Sequence, residues 1–210
     1  MTFVMLIATL PMIHADVTLW VRATDAPHIY VEGNGTESLS GYNVWPGKTL
    51  DTKLTVEDGS TWWKCVLEGV DNIPKLIINN GNAGGNNQTT DIKDVTGTRY
   101  YHYNNYGFYL DLTSVRNATT YCFFQPMIKG SSDYDWTQNG AVFTYVNTEL
   151  TKCGGYNTPY NGATDVYVYV GNATINDGAR FTFMRKQTAS SKPWNRILVQ
   201  YHKGGYYQNI

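Results

Sequence analysis

Short runs of β-branched and aromatic residues, each closed by a turn signal, recur along the whole 210-residue chain. Typical runs are DVTLWVRA, PHIYVEGNG and TDVYVYVG. Apolar and polar residues alternate in them, and alternation places successive side chains on opposite faces of a strand. The chain has no long apolar pattern with the 3.6-residue period of an amphipathic helix. Many short strands separated by Gly, Asn and Pro therefore predict an all-β fold of sandwiches or small barrels.

The strand pattern restarts after residue 113, which divides the chain into two parts. Both parts combine aromatic strands with a Trp-bearing loop and a late strand, and the loops contain Trp45 in the first part and Trp136 in the second. This repetition predicts two related β-sandwich modules in tandem, over residues 16–113 and 119–210, with a seam near SVRNATT. One larger sandwich is the alternative.

The first residues read MTFVMLIATLPMIHADVTLW. Residues 3–13 are nearly all apolar and Ala15 completes a small-residue cleavage site, a pattern typical of a secretory signal peptide over residues 1–15. The apolar run is too short to span a bilayer. We therefore expect a secreted or cell-surface protein without membrane insertion. A buried first strand is the alternative interpretation of the same residues.

The composition limits the kinds of ligand that the chain can hold. Charged residues make up 16% of the chain and the formal net charge is -1, so there is no basic surplus to bind nucleic acid or an anionic membrane. The chain contains 17 Tyr and 6 Trp, whose side chains combine an apolar body with a polar tip. A neutral surface rich in these residues suits uncharged, hydroxylated ligands. A Tyr-rich sheet that binds nothing is the competing interpretation.

The sequence contains no recognisable catalytic motif. The metalloprotease, serine-hydrolase, P-loop and dinucleotide-binding signatures are all missing from it. Neighbouring carboxylates such as Glu32, Asp51 and Glu57 lie in polar turns, where a carboxylate is usually solvated or caps a turn. A glycosidase needs instead a pair of carboxylates, one of them in an apolar pocket. We therefore predict a protein that is not an enzyme and that uses no cofactor and no metal.

The first part of the chain carries an ordered set of motifs, which are HIYVEGN, YNVWPGKTL, STWWKCVLEG, IPKLIINNGNAGGNNQTTDI and TGTRYYHY. In order and spacing this set resembles the starch-binding modules of carbohydrate-binding module family 26 and its near relatives. The matching features are an aromatic strand residue, a Trp-Pro-Gly turn, a strand that ends in Asn-Asn-Gly, and a Gln-Thr pair before an acid. They fall on Tyr30, Trp45-Pro46-Gly47, Ile77–Gly81 and Gln88-Thr89 before Asp91. Relatives often carry a Trp two residues after the tyrosine, where this chain has Glu32.

The resemblance implies an immunoglobulin-like β-sandwich that binds starch, or shorter α-1,4-linked maltooligosaccharides, without catalysis. A helical glucan exposes an apolar sugar face along a curve, so aromatic rings can cover that face while Asn and Gln amides pair with the sugar hydroxyls. The residues expected to bind are Tyr30, Tyr42, Trp45, Trp63, Asn79, Gln88 and Thr89. Structural roles compete with binding at Trp45, which can pack in its turn, and at Asn79 and Asn80, which can bond to their own backbone.

The second part resembles, less closely, the modules found beside starch-binding domains in exported polysaccharide-utilisation proteins. The resemblance rests on DWTQNGAVFTYV and ARFTFMRKQTASSKPWNRILVQ, although Arg196-Ile197 stand where the relatives have Gln-Thr. A second, weaker sugar site would use Trp136, Tyr145 and Trp194. Cell-surface proteins or an amylase are the further partners that this likeness implies.

Two other functions compete with glucan binding. Tyr-, Asn- and Gly-rich loops on a sandwich are also suited to binding protein, which predicts a surface interaction or adhesion module. The other alternative is an accessory fragment of an exported amylase, whose catalytic domain would lie elsewhere, since this chain has no room for a catalytic barrel of about 250 residues.

Overall fold

The computed structural model describes residues 15–33, 39–82, 87–118, 120–124, 142–145, 148–158, 162–171, 180–186 and 196–200. Within these ranges there is no α-helix, and the predicted all-β fold is confirmed. The described ranges also contain no helix with the length and hydropathy that a membrane crossing requires. The predicted signal peptide lies outside them except for its last residue, Ala15.

The strands of the first part are β1 (Val17–Arg22), β2 (His28–Glu32), β3 (Lys48–Thr49), β4 (Thr52–Thr55), β5 (Thr61–Leu67), β6 (Ile73–Asn79), β7 (Ile92–Val95), β8 (Thr98–Tyr103) and β9 (Phe108–Asp111). Those of the second part are β10 (Thr120–Phe124), β11 (Val142–Tyr145), β12 (Thr148–Glu149), β13 (Thr151–Thr158), β14 (Gly162–Gly171), β15 (Arg180–Lys186) and β16 (Arg196–Gln200).

The strands form three sheets. Sheet I has eight strands in the order β10-β14-β13-β9-β8-β1-β5-β4. Sheet II has the order β3-β2-β6-β7, and sheet III has the order β12-β11-β15-β16. β1 pairs in parallel with β8, and the other pairings in the described ranges are antiparallel.

A hydrophobic core joins sheet I to sheet II. Alternate residues of β1 and β2, among them Leu19, Val21, Ile29 and Val31, are completely buried in it. Because side chains alternate along a strand, His28, Tyr30 and Glu32 of β2 point away from this core. Tyr30 thus lies on the outer face of sheet II, where it is partly exposed.

The opposite face of sheet I is also covered. Trp62 is 2% exposed and belongs to a second cluster with Leu110, Leu112 and Val166. Its neighbour Trp63 points to the other side and packs against the core between sheets I and II. β5 is therefore covered on both faces, so Trp62 is buried and the adjacent Trp63 is partly buried.

Sheet I crosses the predicted seam between the two parts. β9 of the first part pairs antiparallel with β13 of the second, with Gly154 opposite Leu110 and Gly155 opposite Tyr109. A Cβ atom at Gly154 would lie 2.3 Å from the carbonyl oxygen of Tyr109. A glycine in a strand often marks such a close approach of two backbones. The two parts share backbone hydrogen bonds here, so they are not joined by a linker alone.

We expect Gly154→Ala to destabilise the protein by about 1–3 kcal/mol, because the added methyl group meets backbone that cannot rotate away. Urea denaturation of the full chain measures this. Thr151→Val is the matched control, since Thr151 is an exposed residue of the same strand. Equal unfolding midpoints for the two variants would show that the seam tolerates a side chain.

Candidate functional site

Two aromatic rings lie together on the outer face of sheet II. The ring of Tyr30, in β2, meets the ring of Trp45 with centroids 5.6 Å apart and an angle of 61° between the ring planes. Trp45 is 39% exposed, and the adjacent Val44 is 67% exposed. We call Tyr30 and Trp45 the aromatic pair. Both residues were predicted to bind, and the structure places their rings side by side at the surface.

The position of Trp45 is fixed by its turn. The backbone N–H of Gly47 donates a hydrogen bond to the carbonyl of Val44 over 2.7 Å. Gly47 has φ +86°, and a Cβ atom there would lie 2.0 Å from the carbonyl oxygen of Ile29. Glycine is required for this conformation and for this contact. The turn therefore rests directly on the backbone of β2, next to Tyr30.

Asn79 holds the same turn from the other side. Its side-chain Nδ2 donates to the carbonyl of Pro46 over 2.9 Å, and its Oδ1 accepts from the N–H of Gly81 over 2.9 Å. Asn79 is completely buried. Since both ends of its amide are used inside the protein, the structure favours the structural role for Asn79 over contact with a ligand.

Thr89 and Gln88 have different environments although they are adjacent. Thr89 is 1% exposed, its hydroxyl oxygen accepts from the N–H of Ile78, and its own N–H donates to the carbonyl of Ile78. Gln88 is partly exposed and pairs with Asn79 in an isolated antiparallel bridge. Directly paired residues place their side chains on the same face, so Gln88 lies on the face of the aromatic pair. Among the described residues, the Gln88 amide has no hydrogen-bond partner.

The other Asn residues near the strand ends connect loops. Nδ2 of Asn80 donates to Oδ1 of Asn87 over 3.2 Å and to the carbonyl of Asn105 over 2.9 Å. Oδ1 of Asn104 accepts from the N–H of Tyr106 over 2.8 Å. These amides replace backbone partners that irregular loops lack. Most of the Asn side chains in this region therefore hold the loops in place.

Tyr42 and Trp63 do not join the aromatic pair. The hydroxyl of Tyr42 lies 3.3 Å from the sulfur of Cys65, in sheet I, and burial raises the pKa of this tyrosine. Nε1 of Trp63 donates to the carbonyl of Ala23 over 3.1 Å. Both rings pack against the core between the two sheets. Trp63 was expected to bind sugar at the surface, whereas sheet I is covered on both sides at β5.

Charged residues continue the outer face of sheet II beyond Tyr30. Glu32 pairs with Lys75 over 2.7 Å, and Lys75 also reaches Asp91 over 3.5 Å. The hydrogen bond to Glu32, with a smaller effect of Asp91, raises the pKa of Lys75 above its usual value. We call Glu32, Lys75 and Asp91 the charged triad. Sequence analysis missed Lys75, because only the β2–β6 register places it opposite Glu32.

His28 also belongs to this face and was not predicted. It lies two residues before Tyr30 and opposite Asn79, and both of its ring nitrogens are within 3.3 Å of the hydroxyl of Thr49. Alternation in the run HIYVE is the signal that identifies His28 and Glu32 as neighbours of Tyr30 on the outer face.

The structure does not describe the side chains of the three residues predicted to form a second sugar site. Trp136 and Trp194 lie outside the described residues. Tyr145 is the last residue of β11, and its backbone pairs with Thr148 of β12. The assignment of these three rings to a weaker sugar site stays a prediction.

Comparisons with protein-family models, with curated proteins and with solved structures found no match for this chain. The likeness to starch-binding modules of carbohydrate-binding module family 26 therefore stays a prediction that rests on the sequence motifs. The arrangement of the aromatic pair, Gln88 and the charged triad is the observation from which a function can be proposed.

We expect Asn79→Ala to destabilise the protein by about 1–3 kcal/mol, because it removes a buried amide that donates to the carbonyl of Pro46 and accepts from the N–H of Gly81. Gln88→Ala should change stability by less than about 0.5 kcal/mol, as most partly exposed positions do. Thermal and urea unfolding of the two variants measure the difference. Equal losses of stability would mean that the Gln88 amide has a structural role like that of Asn79.

Proposed function

We propose that the chain is an exported, non-catalytic protein that binds α-1,4-linked glucan through the aromatic pair. The observation that carries this proposal is the surface position of Tyr30, which is partly exposed, and Trp45, which is exposed, on a turn held by the buried amide of Asn79. Rigid aromatic rings at the surface cost little conformational entropy when a ligand covers them. Sugar rings have apolar faces of similar size, so stacking on such rings is the chemistry that this surface offers.

The angle between the two rings favours a curved ligand. Their planes meet at 61°, so a flat chain cannot lie against both ring faces at once. A helical α-glucan turns from one sugar to the next and can present successive apolar faces at such an angle. This geometry supports the α-glucan expected from the motif resemblance over an extended, flat β-glucan.

Polar groups around the aromatic pair suit the hydroxyls of a sugar. The amide of Gln88 offers a donor and an acceptor on the same face. The carboxylate of Glu32 accepts hydrogen bonds from paired hydroxyls, and charge-assisted hydrogen bonds of this kind are the stronger ones. We leave Asn79, Thr89, Tyr42 and Trp63 out of the proposed contact surface, because they are buried or directed into the core.

The non-catalytic part of the proposal is supported by the environment of the carboxylates near the aromatic pair. Glu32 and Asp91 are 52% and 46% exposed at their side chains, and both pair with Lys75. A glycosidase acid needs an apolar pocket that holds its proton. Neither of these carboxylates has such a pocket.

We also propose the finer architecture implied by the motifs, which is two immunoglobulin-like sandwiches over residues 16–113 and 119–210. In this proposal the modules share sheet I through β9 and β13 rather than standing apart. Signal-peptide cleavage near Ala15 would place the protein outside the cell or at its surface, in reach of polymeric glucan and of an amylase.

We expect Tyr30→Ala or Trp45→Ala to weaken glucan binding several-fold to about thirtyfold, since each ring contributes about 1–2 kcal/mol. Native gels cast with amylopectin, pullulan or a β-glucan measure retention of the full chain. Wild-type protein should be retarded by amylopectin and not by the β-glucan. Tyr106→Ala is the matched control, because it removes a tyrosine that is 64% exposed on a turn of sheet I.

Unchanged retardation of a folded Tyr30→Ala/Trp45→Ala double variant would remove the aromatic pair from the binding surface. Absence of retardation by any polysaccharide would contradict glucan binding altogether, and the protein-interaction function would then take its place. Release of reducing sugar from soluble starch by the purified chain would contradict the non-catalytic assignment.

A further inference from the structure

A concave surface lies where the two parts of the chain meet. It is a cavity of about 370 Å³ lined by Asp91, Ile92, Lys93, Tyr109, Asp111, Lys152, Cys153 and Gly154. We call it the seam groove. Its lining comes from β7 and its preceding residue, from β9, and from β13 of the second part.

The groove follows from the unequal widths of the two sheets. Sheet II ends at β7, whereas sheet I continues past β9 into β13, β14 and β10. The edge of β7 therefore forms a wall beside sheet I. Asp94, with φ +54°, makes this edge irregular, and Lys93 adds a charge to it. Both features oppose the addition of another peptide strand, so the groove is poorly suited to a β-strand partner.

The charges of the groove are balanced. Its lining contains two Asp and two Lys, and most of them belong to ion pairs. Asp91 pairs with Lys75 over 3.5 Å, Asp111 with Arg99 over 3.9 Å, and Lys152 with Asp165 over 2.7 Å. Paired charges at a surface present many donors and acceptors without a net field. This chemistry matches a ligand that is rich in hydroxyl groups and carries no charge.

The groove is connected to the aromatic pair by the charged triad. Tyr30 and Glu32 lie on the same face of β2, Glu32 pairs with Lys75, and Lys75 pairs with Asp91. Asp91 is thus a member of the charged triad and also part of the wall of the groove. Polar, partly exposed side chains cover the whole path from one surface to the other.

We propose that the seam groove is a subsite for the same glucan chain whose other sugars stack on the aromatic pair. This inference rests on the proposed function. β2 and β7 are separated by two strand spacings, or roughly 10 Å. A short oligosaccharide can cover the aromatic pair without reaching Lys93 and Lys152, whereas a longer one spans both surfaces. The second part of the chain then contributes to binding through β13.

Calorimetric titration of the full chain with maltotriose and with maltoheptaose tests this subsite. Wild-type protein should bind maltoheptaose at least tenfold more tightly than maltotriose. Lys93→Ala/Lys152→Ala should lose most of that difference and keep the affinity for maltotriose. Lys53→Ala is the matched control, since Lys53 is an exposed lysine on β4, an edge strand of sheet I that does not line the groove.

The outcomes separate this inference from the function on which it rests. If the folded double variant keeps the full preference for maltoheptaose, or if the wild type has none, the groove is not a subsite although the aromatic pair binds. If Trp45→Ala weakens both sugars equally and the double lysine variant weakens only the longer one, both assignments hold. If the wild type binds neither sugar, the proposed function fails and the subsite fails with it.

Discussion

The buried amide of Asn79 determines where the one exposed Trp of the first part stands. It bonds to the carbonyl of Pro46 on one side and to the N–H of Gly81 on the other, so it joins two loops at one end of sheet II. A buried amide that is satisfied at both ends is stable in one arrangement only, since any other leaves a polar group without a partner. Together with the contact of Gly47 on Ile29, this arrangement sets the ring of Trp45 against that of Tyr30.

Strand alternation explains the part of this surface that the sequence indicated. The sequence predicted a strand at HIYVE, and period-two alternation in that strand accounts for the burial of Ile29 and Val31 with Tyr30 on the other face. Residues such as Asn79 were harder to assign, because an Asn at a strand end can equally bond a ligand or a neighbouring loop. That choice depends on which carbonyls the fold brings within reach, and a single sequence does not contain this information.

Long-range pairing explains the other differences. Trp63 was expected to bind sugar, which requires a solvated face, but sheet I has a core on each side. Lys75 was missed because its position opposite Glu32 depends on the β2–β6 register. The pairing of β9 with β13, which makes sheet I continuous across the seam, likewise depends on contacts between residues distant in sequence.

In the proposed function, Glu32 stands where the starch-binding modules that the sequence resembles often carry a Trp, and this difference affects how glucan binding would be distributed. An aromatic pair that contributes about 2–4 kcal/mol gives at best a millimolar affinity by itself. Glu32 forms an ion pair with Lys75 where a third ring would stand. Lys75 in turn pairs with Asp91, next to β7, so the polar surface extends away from the aromatic pair. Retention on a glucan polymer then requires further contacts with the same glucan molecule or repeated binding to it. For the proposed glucan-binding function, a surface with few rings and a long polar extension therefore predicts a preference for polymeric glucan over short sugars.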